Sequence, residues 1–175
     1  MKRLFFIALT IIALPLFGSH MAYIFSPGSE PNPKGSNTNI VESFYDAFER
    51  NDVSDMMECL SSSYTVKNVA SVHQLASSEF DAGSPNLKTR LTAYHEAFPN
   101  LAIKIEQMVS TSKKVVAQVS MTGIQKGSFF GISPTERYIT IHTIAIFTIS
   151  DGKIVHIDEI LSEYNLMRQL GYIAI

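Results

Sequence analysis

The sequence lacks the features that define several large classes of protein. Cys59 is its only cysteine, so no disulfide can form within the chain, although a bridge between two chains stays open. A lone cysteine in an apolar stretch is usually a core residue. Lysine and arginine form no run and the net charge is −2, so we expect no nucleic-acid partner. A Gly-x-Ser-x-Gly motif and a phosphate-binding loop are also missing, which disfavours a serine hydrolase or a nucleotide site.

The N-terminal part of the chain has the composition of a targeting segment and a linker. Two basic residues precede an apolar run that has signal-peptide length up to Phe17 and membrane-anchor length if it continues to Phe25. No good cleavage site follows it. We therefore expect export to the periplasm or the medium, with residues 1–25 as either a signal peptide or an anchor through residues 4–25. Residues 26–38, rich in Pro, Gly, Ser and Asn, are typical of a flexible linker.

The next part of the chain follows the period of helices. Asn39 and Glu42 fit a capping box, which predicts a first helix beginning at Asn39. A short second helix is predicted over residues 54–60. The third is predicted from Ser84-Pro85 to Pro99. Its apolar residues recur at intervals of three or four, namely Leu87, Leu91, Tyr94 and Phe98.

The second half of the chain changes to the pattern of strands. Strands are predicted over residues 101–109, 115–123, 138–149 and 154–161, and Asp151-Gly152 is a strong hairpin signal between the last two. Helices followed by a strand meander indicate an α+β fold, with a curved antiparallel sheet wrapped around about three N-terminal helices. The open end of such a cone is a natural ligand pocket. We expect this domain to span residues 39–175.

Four separated blocks of sequence carry a family resemblance. They are Glu96-Ala-Phe-Pro-Asn100, the glycine-containing segment 127–137, Asp151-Gly-Lys-Ile154 and Arg168-Gln-Leu-Gly171. In order and spacing they resemble the SnoaL-like polyketide cyclase (ester cyclase) family of the nuclear-transport-factor-2-like (NTF2-like) superfamily. The resemblance implies an NTF2-like cone and an intramolecular aldol ring closure on an aromatic polyketide, without cofactor or metal.

The resemblance also implies one catalytic residue, Glu159. The family uses an acidic residue on the last strand as general acid/base, and Glu159 stands at that position. The polar neighbours of that acid are not retained, because Thr143, Ala145 and Ile157 stand where the family has Gln, His and His. Two functions follow as alternatives. One is a cofactor-free cyclase or isomerase that moves a proton with Glu159, and the other is an exported module that binds a hydrophobic small molecule or only supports dimerisation.

Strand alternation predicts the lining of the pocket. If Glu159 faces the cavity, Ile157 does too, while His156, Asp158 and Ile160 face the other side. Phe129 either caps the pocket as a lid or fills the core. The predicted substrate-binding residues are Tyr45, Tyr64, Tyr94, Phe129, Thr143, Ala145 and Ile157, and Met57 and Phe98 are further candidates for the walls.

The surroundings of Glu159 discriminate between the two functions. An unpaired carboxylate in an open, apolar cavity favours proton transfer. A carboxylate paired with Arg137, Arg168 or Lys126, or a cavity filled by side chains, favours a binding or scaffold role.

The outer face of the sheet is predicted to carry His142, His156 and Asp158. Two ligands in register do not make a zinc site, which needs three or four in a defined geometry, so we expect no metal. From the resemblance we expect this face to be the surface of a homodimer.

Overall fold

The computed structural model describes residues 36–68, 84–129 and 131–173. The predicted signal or anchor segment lies outside these residues. In the three described ranges, no helix is both long enough and apolar enough to cross a membrane. The elements follow in the order α1 Ser36–Glu49, α2 Val53–Glu58, β1 Leu60–Asn68, α3 Ser84–Ala97, β2 Ala102–Ser110, β3 Lys114–Ile124, β4 Tyr138–Ser150, β5 Lys153–Leu161 and α4 Glu163–Leu170.

The five strands form one sheet in the order β1-β5-β4-β3-β2. Neighbours from β5 to β2 are antiparallel, but β1 is parallel to β5. The sheet is therefore mixed, and the expectation of a purely antiparallel sheet was wrong at this edge. The element prediction also missed β1, since three consecutive serines give it no β-branched run. The helices and curved sheet together form the predicted NTF2-like cone.

The hairpin between β4 and β5 confirms the Asp-Gly signal. Asp151 and Gly152 both have positive φ, 52° and 70°, as the two central residues of a type I′ turn require. The turn pairs Ser150 with Lys153, and a register shift between Thr148 and Ile149 then places Ala145 opposite Glu159. Alternation then follows the prediction, because Ala145 and Ile157 are buried while Ile144 and Ile160 are exposed.

Helix α1 begins three residues before the predicted Asn39. The reason is the side chain of Asn37, which is buried and donates hydrogen bonds to the carbonyl oxygens of Thr111 and Ser112, both at 3.1 Å. Residues 36–38, assigned to the linker, therefore belong to the helix. The apolar face of α1 packs on the sheet, where Phe44 and Tyr45 both meet Phe147 edge to face.

The segment between β3 and β4 is organised by one buried amide. The Gln125 side chain donates to the carbonyl oxygens of Gly127 and Ile132 and accepts a 2.6 Å hydrogen bond from the Thr135 hydroxyl. Gly127 lies so close to the end of α3 that a Cβ would stand 2.1 Å from the carbonyl oxygen of Glu96. This contact joins two of the sequence blocks that carried the family resemblance.

The sequence block Arg168-Gln-Leu-Gly171 forms the end of helix α4 and its contact with β4. The Gln169 side chain bonds both backbone groups of Thr140, accepting from its N–H and donating to its carbonyl oxygen, each at 2.8 Å. Gly171 then ends the helix with a φ of 78°, in the left-handed conformation that glycine favours. The Gln-Leu-Gly sequence thus attaches the C-terminal helix to β4.

Candidate functional site

Glu159 forms an ion pair that the sequence analysis did not identify. It lies on β5 beneath the helices, and its Oε2 atom is 2.8 Å from Nη2 of Arg90 on α3. The two side chains are only 13% and 17% exposed, so the pair is largely removed from water. The partners predicted from sequence were wrong. Of these, Arg137 donates to the carbonyl oxygen of Gln169 and Arg168 donates to Asn165.

Arg90 lies on the buried side of α3 because of its spacing. It follows Leu87 by three residues and precedes Tyr94 by four, which places it in the apolar stripe of the helix. An arginine at such a position was the signal available in the sequence. Burial is the largest single effect and lowers the pKa of Arg90, but the charge of Glu159, together with smaller contributions that include its hydrogen bond, raises the pKa by more, so the net shift is upward.

One donor of Arg90 is not used. Its Nε atom is buried and has no hydrogen-bond partner in the described part of the chain, where it is the only buried side-chain nitrogen or oxygen in that condition. A buried donor without an acceptor costs free energy, on the order of 1–3 kcal/mol. Such an atom is uncommon in a folded domain and calls for an explanation.

The ion pair lines a small cavity with apolar walls. The volume is about 20 Å³, which is room for roughly one water molecule. Tyr45 is strongly perturbed there, because burial, and then the charge of Glu159, raise the pKa of the phenol well above its usual 10.0, while Arg90 opposes them. The phenol is therefore a neutral hydrogen-bond donor at ordinary pH. The other lining residues are Phe44, Phe48, Tyr94, Met121, Ala145, Phe147 and Ile157.

The structure brings together five of the eight predicted site residues, namely Tyr45, Tyr94, Ala145, Ile157 and Glu159. The other three do not line this cavity. Thr143 is buried and its hydroxyl donates to the carbonyl oxygen of Ile160 at 3.1 Å. Phe129 packs in the core with its ring centroid 5.0 Å from those of Tyr94 and Phe98. Tyr64 is a buried residue of β1.

A larger space lies on the surface between α1 and β2. It has a volume of about 470 Å³ and is open to solvent. Glu42, Asp46 and Glu49 project along it from α1, with Lys104 opposite. Its carboxylates are ordinary surface groups, and Glu49 accepts a hydrogen bond from the backbone of Ile103. We therefore place the candidate site at the smaller cavity, which holds the buried charges, and note that Tyr45 borders both spaces.

The polar cluster predicted on the outer face forms only in part. His156 contacts Asp158 through Nε2 at 3.1 Å and the Thr65 hydroxyl through Nδ1 at 2.6 Å. His142 lies elsewhere, because His156 pairs with Thr148, which is well along β4 from His142. The two histidines, both predicted on this face, are therefore not neighbours. The described residues contain no group of three side chains able to hold a metal ion.

The fold and the site together define an NTF2-like domain with an acidic residue on its last long strand. The sequence model described as SnoaL-like polyketide cyclase matches residues 39–170. The chain therefore belongs to the SnoaL-like polyketide cyclase family. No curated protein matches the chain.

Solved structures agree with this fold. AclR of Streptomyces galilaeus, named as a candidate hydroxylase, aligns with a TM-score of 0.68 and 18% identity over 79% of this chain and 86% of its own. IdmH of Streptomyces antibioticus, named as a candidate polyketide cyclase, gives 0.65 and 20% over 77% and 97%. A candidate SnoaL-like polyketide cyclase of Jannaschia sp. CCS1 gives 0.65 and 19% over 84% and 100%. At these identities the similarity establishes the fold alone.

Proposed function

We propose that this chain binds a small, mainly apolar organic molecule in the cavity at the Arg90–Glu159 pair. The buried pair is the observation that carries the proposal. A buried ion pair seldom stabilises a fold more than apolar side chains of similar volume do, so stability alone does not account for it. A few convergent polar groups on apolar walls, here Arg90, Glu159 and the Tyr45 phenol, are the arrangement of a ligand site.

The small volume of the cavity limits how a ligand can bind there. A space of about 20 Å³ admits no organic ligand, so binding requires side chains of the wall to move apart. Under the criterion stated above, the pairing of Glu159 and the closed cavity both favour a binding or scaffold role over catalysis, and the convergent polar groups favour binding between these two. We therefore give binding precedence over cyclisation.

Proton transfer by Glu159 is the second candidate function. It is supported by the position of the carboxylate, which faces the same cavity as the neutral Tyr45 phenol and the Arg90 guanidinium. In such a step Glu159 takes a proton from a carbon next to a carbonyl group, and the electrons of the C–H bond move to that carbonyl oxygen. The resulting enolate carbon attacks a second carbonyl of the same molecule, whose oxygen takes the proton back from Glu159.

A cavity-filling variant tests the binding proposal. Ala145 lines the cavity opposite Glu159, and Ala145→Val adds two methyl groups to a space that holds about one water molecule. We expect 2-naphthalenemethanol to bind the wild-type chain in a calorimetric titration and to bind the variant at least tenfold more weakly. Ser150→Val, on the exposed end of β4, serves as the control. Equal binding to wild type and Ala145→Val would place the ligand elsewhere and refute the proposal.

The candidate reaction has a separate readout. If Glu159 moves a proton, the chain exchanges the α-hydrogens of a bound aryl ketone such as 2-acetylnaphthalene with deuterium from the solvent, and Glu159→Gln abolishes that exchange. Binding of the ketone without exchange by the wild-type chain would leave binding as the function and remove catalysis.

A further inference from the structure

Arg90 has more hydrogen-bonding capacity than the described structure uses. A guanidinium group carries five N–H donors in one plane. Glu159 engages the Nη2 end, and the buried Nε has no partner in the described residues. The group is therefore charged, held in place and short of acceptors, inside a cavity whose other walls are apolar or aromatic.

We propose that Arg90 is the receptor for a carboxylate on the ligand, and that this carboxylate replaces Glu159 as the partner of the guanidinium. The inference rests on the proposed function and names the class of ligand, an apolar, ring-sized body with one carboxylate group. A carboxylate has two oxygens in a plane and can accept from two neighbouring guanidinium nitrogens at once. It thereby supplies the acceptor that Nε lacks.

The charge balance of the cavity favours an exchange over simple addition. The closed cavity holds one positive and one negative group, which neutralise each other. A second carboxylate next to Glu159 would add like-charge repulsion in a poorly hydrated space. The Glu159 side chain is 13% exposed. It can therefore turn toward solvent when the carboxylate of the ligand takes its place beside Arg90.

Tyr45 supports the same ligand chemistry. Its phenol borders the cavity next to the pair and is kept neutral, so it offers a donor and no negative charge to an incoming carboxylate. A neutral alcohol of the same shape can accept a hydrogen bond from the phenol but forms no ion pair with Arg90. It also leaves the internal ion pair intact.

Because the ligand carboxylate and Glu159 compete for Arg90, removing the charge of Glu159 should strengthen binding of the ligand. Glu159→Gln removes the negative charge that competes for Arg90 and should strengthen the binding of a carboxylate ligand. Arg90→Met combined with Glu159→Leu replaces the pair with apolar side chains, which folded proteins usually tolerate. This double variant should bind apolar ligands but without any preference for a carboxylate.

The experiment compares 2-naphthoate with 2-naphthalenemethanol, which share a ring system and differ in charge. Both are titrated calorimetrically into the full-length wild-type chain, Glu159→Gln and the double variant, each checked for folding by circular dichroism. We expect wild type to bind 2-naphthoate at least fivefold more tightly than the alcohol. Glu159→Gln should raise that ratio at least a further tenfold, and the double variant should bring it to about one.

The outcomes separate the inference from the proposed function. If all proteins bind both probes with equal affinity, the cavity binds ligands but Arg90 is no carboxylate receptor, and the inference is overturned while the proposed function stands. If neither probe binds any of the proteins, the proposed function fails and the inference fails with it. If Glu159→Gln does not fold, the comparison of wild type with the double variant decides, because the preference must vanish in the latter.

Discussion

At the scale of single residues, the identity of the side chain beside Glu159 determines the chemistry of the site. A lone buried carboxylate would favour its neutral form, whereas Arg90 supplies a compensating charge at 2.8 Å. The position of Glu159 could be predicted from the family resemblance, and strand alternation then gave the neighbours that share its face. Arg90 could not be predicted as its partner, because the two residues meet only through the packing of α3 on the sheet.

Removing one partner of the pair should cost more than removing both. Glu159→Gln leaves the Arg90 charge buried without compensation, and we expect it to lower the free energy of unfolding by about 3 kcal/mol. Arg90→Met with Glu159→Leu should lower it by less than 1 kcal/mol or raise it, since apolar side chains of similar volume replace the pair. Urea denaturation of the wild type, Arg90→Met, Glu159→Leu and the double variant measures the coupling. If the losses of the two single variants add up to the loss of the double variant, the two side chains do not interact, which would contradict the buried ion pair.

The raised pKa of Tyr45 makes a prediction for alkaline pH. In the unfolded chain the phenol ionises near its usual 10.0, but in the folded chain it keeps its proton to higher pH. The stability that this provides is complete below pH 10 and is lost as the pH rises beyond it, because only the unfolded state releases the proton. Tyr45→Phe should therefore lose less stability between pH 9 and pH 11 than the wild type does.

Tyr138→Phe is the matched control for this measurement, because Tyr138 is 63% exposed. Its stability should fall with alkaline pH as the wild type's does. Parallel curves for Tyr45→Phe and wild type would show that the phenol of Tyr45 is not protected from ionisation by the fold.

At the scale of secondary-structure elements, local signals and tertiary contacts account for different parts of the fold. The Asp151-Gly152 turn and the apolar stripe of α3 are local, and both predictions agree with the structure. The start of α1 depends on Asn37 reaching the turn between β2 and β3, a contact that spans more than 70 residues. Strand β1 depends on pairing with β5, which makes a serine-rich segment extended. No local sequence pattern predicts either of these two contacts.

Two glycines of one loop should respond differently to the same substitution. Gly127→Ala places a Cβ atom 2.1 Å from the carbonyl oxygen of Glu96, which forces the loop away from α3. We expect a loss of about 3 kcal/mol in the free energy of unfolding, the size typical of such clashes. Gly131→Ala meets no atom within 4 Å and should cost only about 1 kcal/mol for its positive φ. Guanidinium denaturation measures both, and equal losses would contradict the close approach at Gly127.

At the scale of the whole molecule, the outer face of the sheet is the surface to test for self-association. Ile144 and Ile160 are paired across β4 and β5 and are 43% and 42% exposed, an apolar centre on a face that alternation would otherwise make polar. The homodimer expected from the family resemblance would bury this pair. We expect a dimer by light scattering, converted to a monomer by Ile144→Glu. Ser43→Glu, on the exposed side of α1, should leave the dimer intact, and a monomeric wild type would remove the proposal.

The overall architecture was more predictable than the site. The order of helices and strands and four short sequence blocks were enough for the α+β cone, because the blocks either form a turn or join two elements, as the bonds of Gln169 to Thr140 do. The cavity was not predictable to the same degree. Its volume depends on how Phe44, Phe48 and Met121 fill the space under the sheet, and three of the eight predicted site residues point to other contacts.

The parallel pairing of β1 with β5 has a consequence for the order in which the chain can fold during synthesis. β1 precedes the three strands of the central meander, yet its neighbour in the sheet is the last strand made, and the Thr65–His156 contact spans 91 residues. A nascent chain that has emerged only as far as β4 therefore carries an early strand whose backbone groups have no partner strand, and such a strand is prone to pair with other chains. Completion of the sheet depends on the arrival of residues 153–161, the segment that also delivers Glu159 to Arg90.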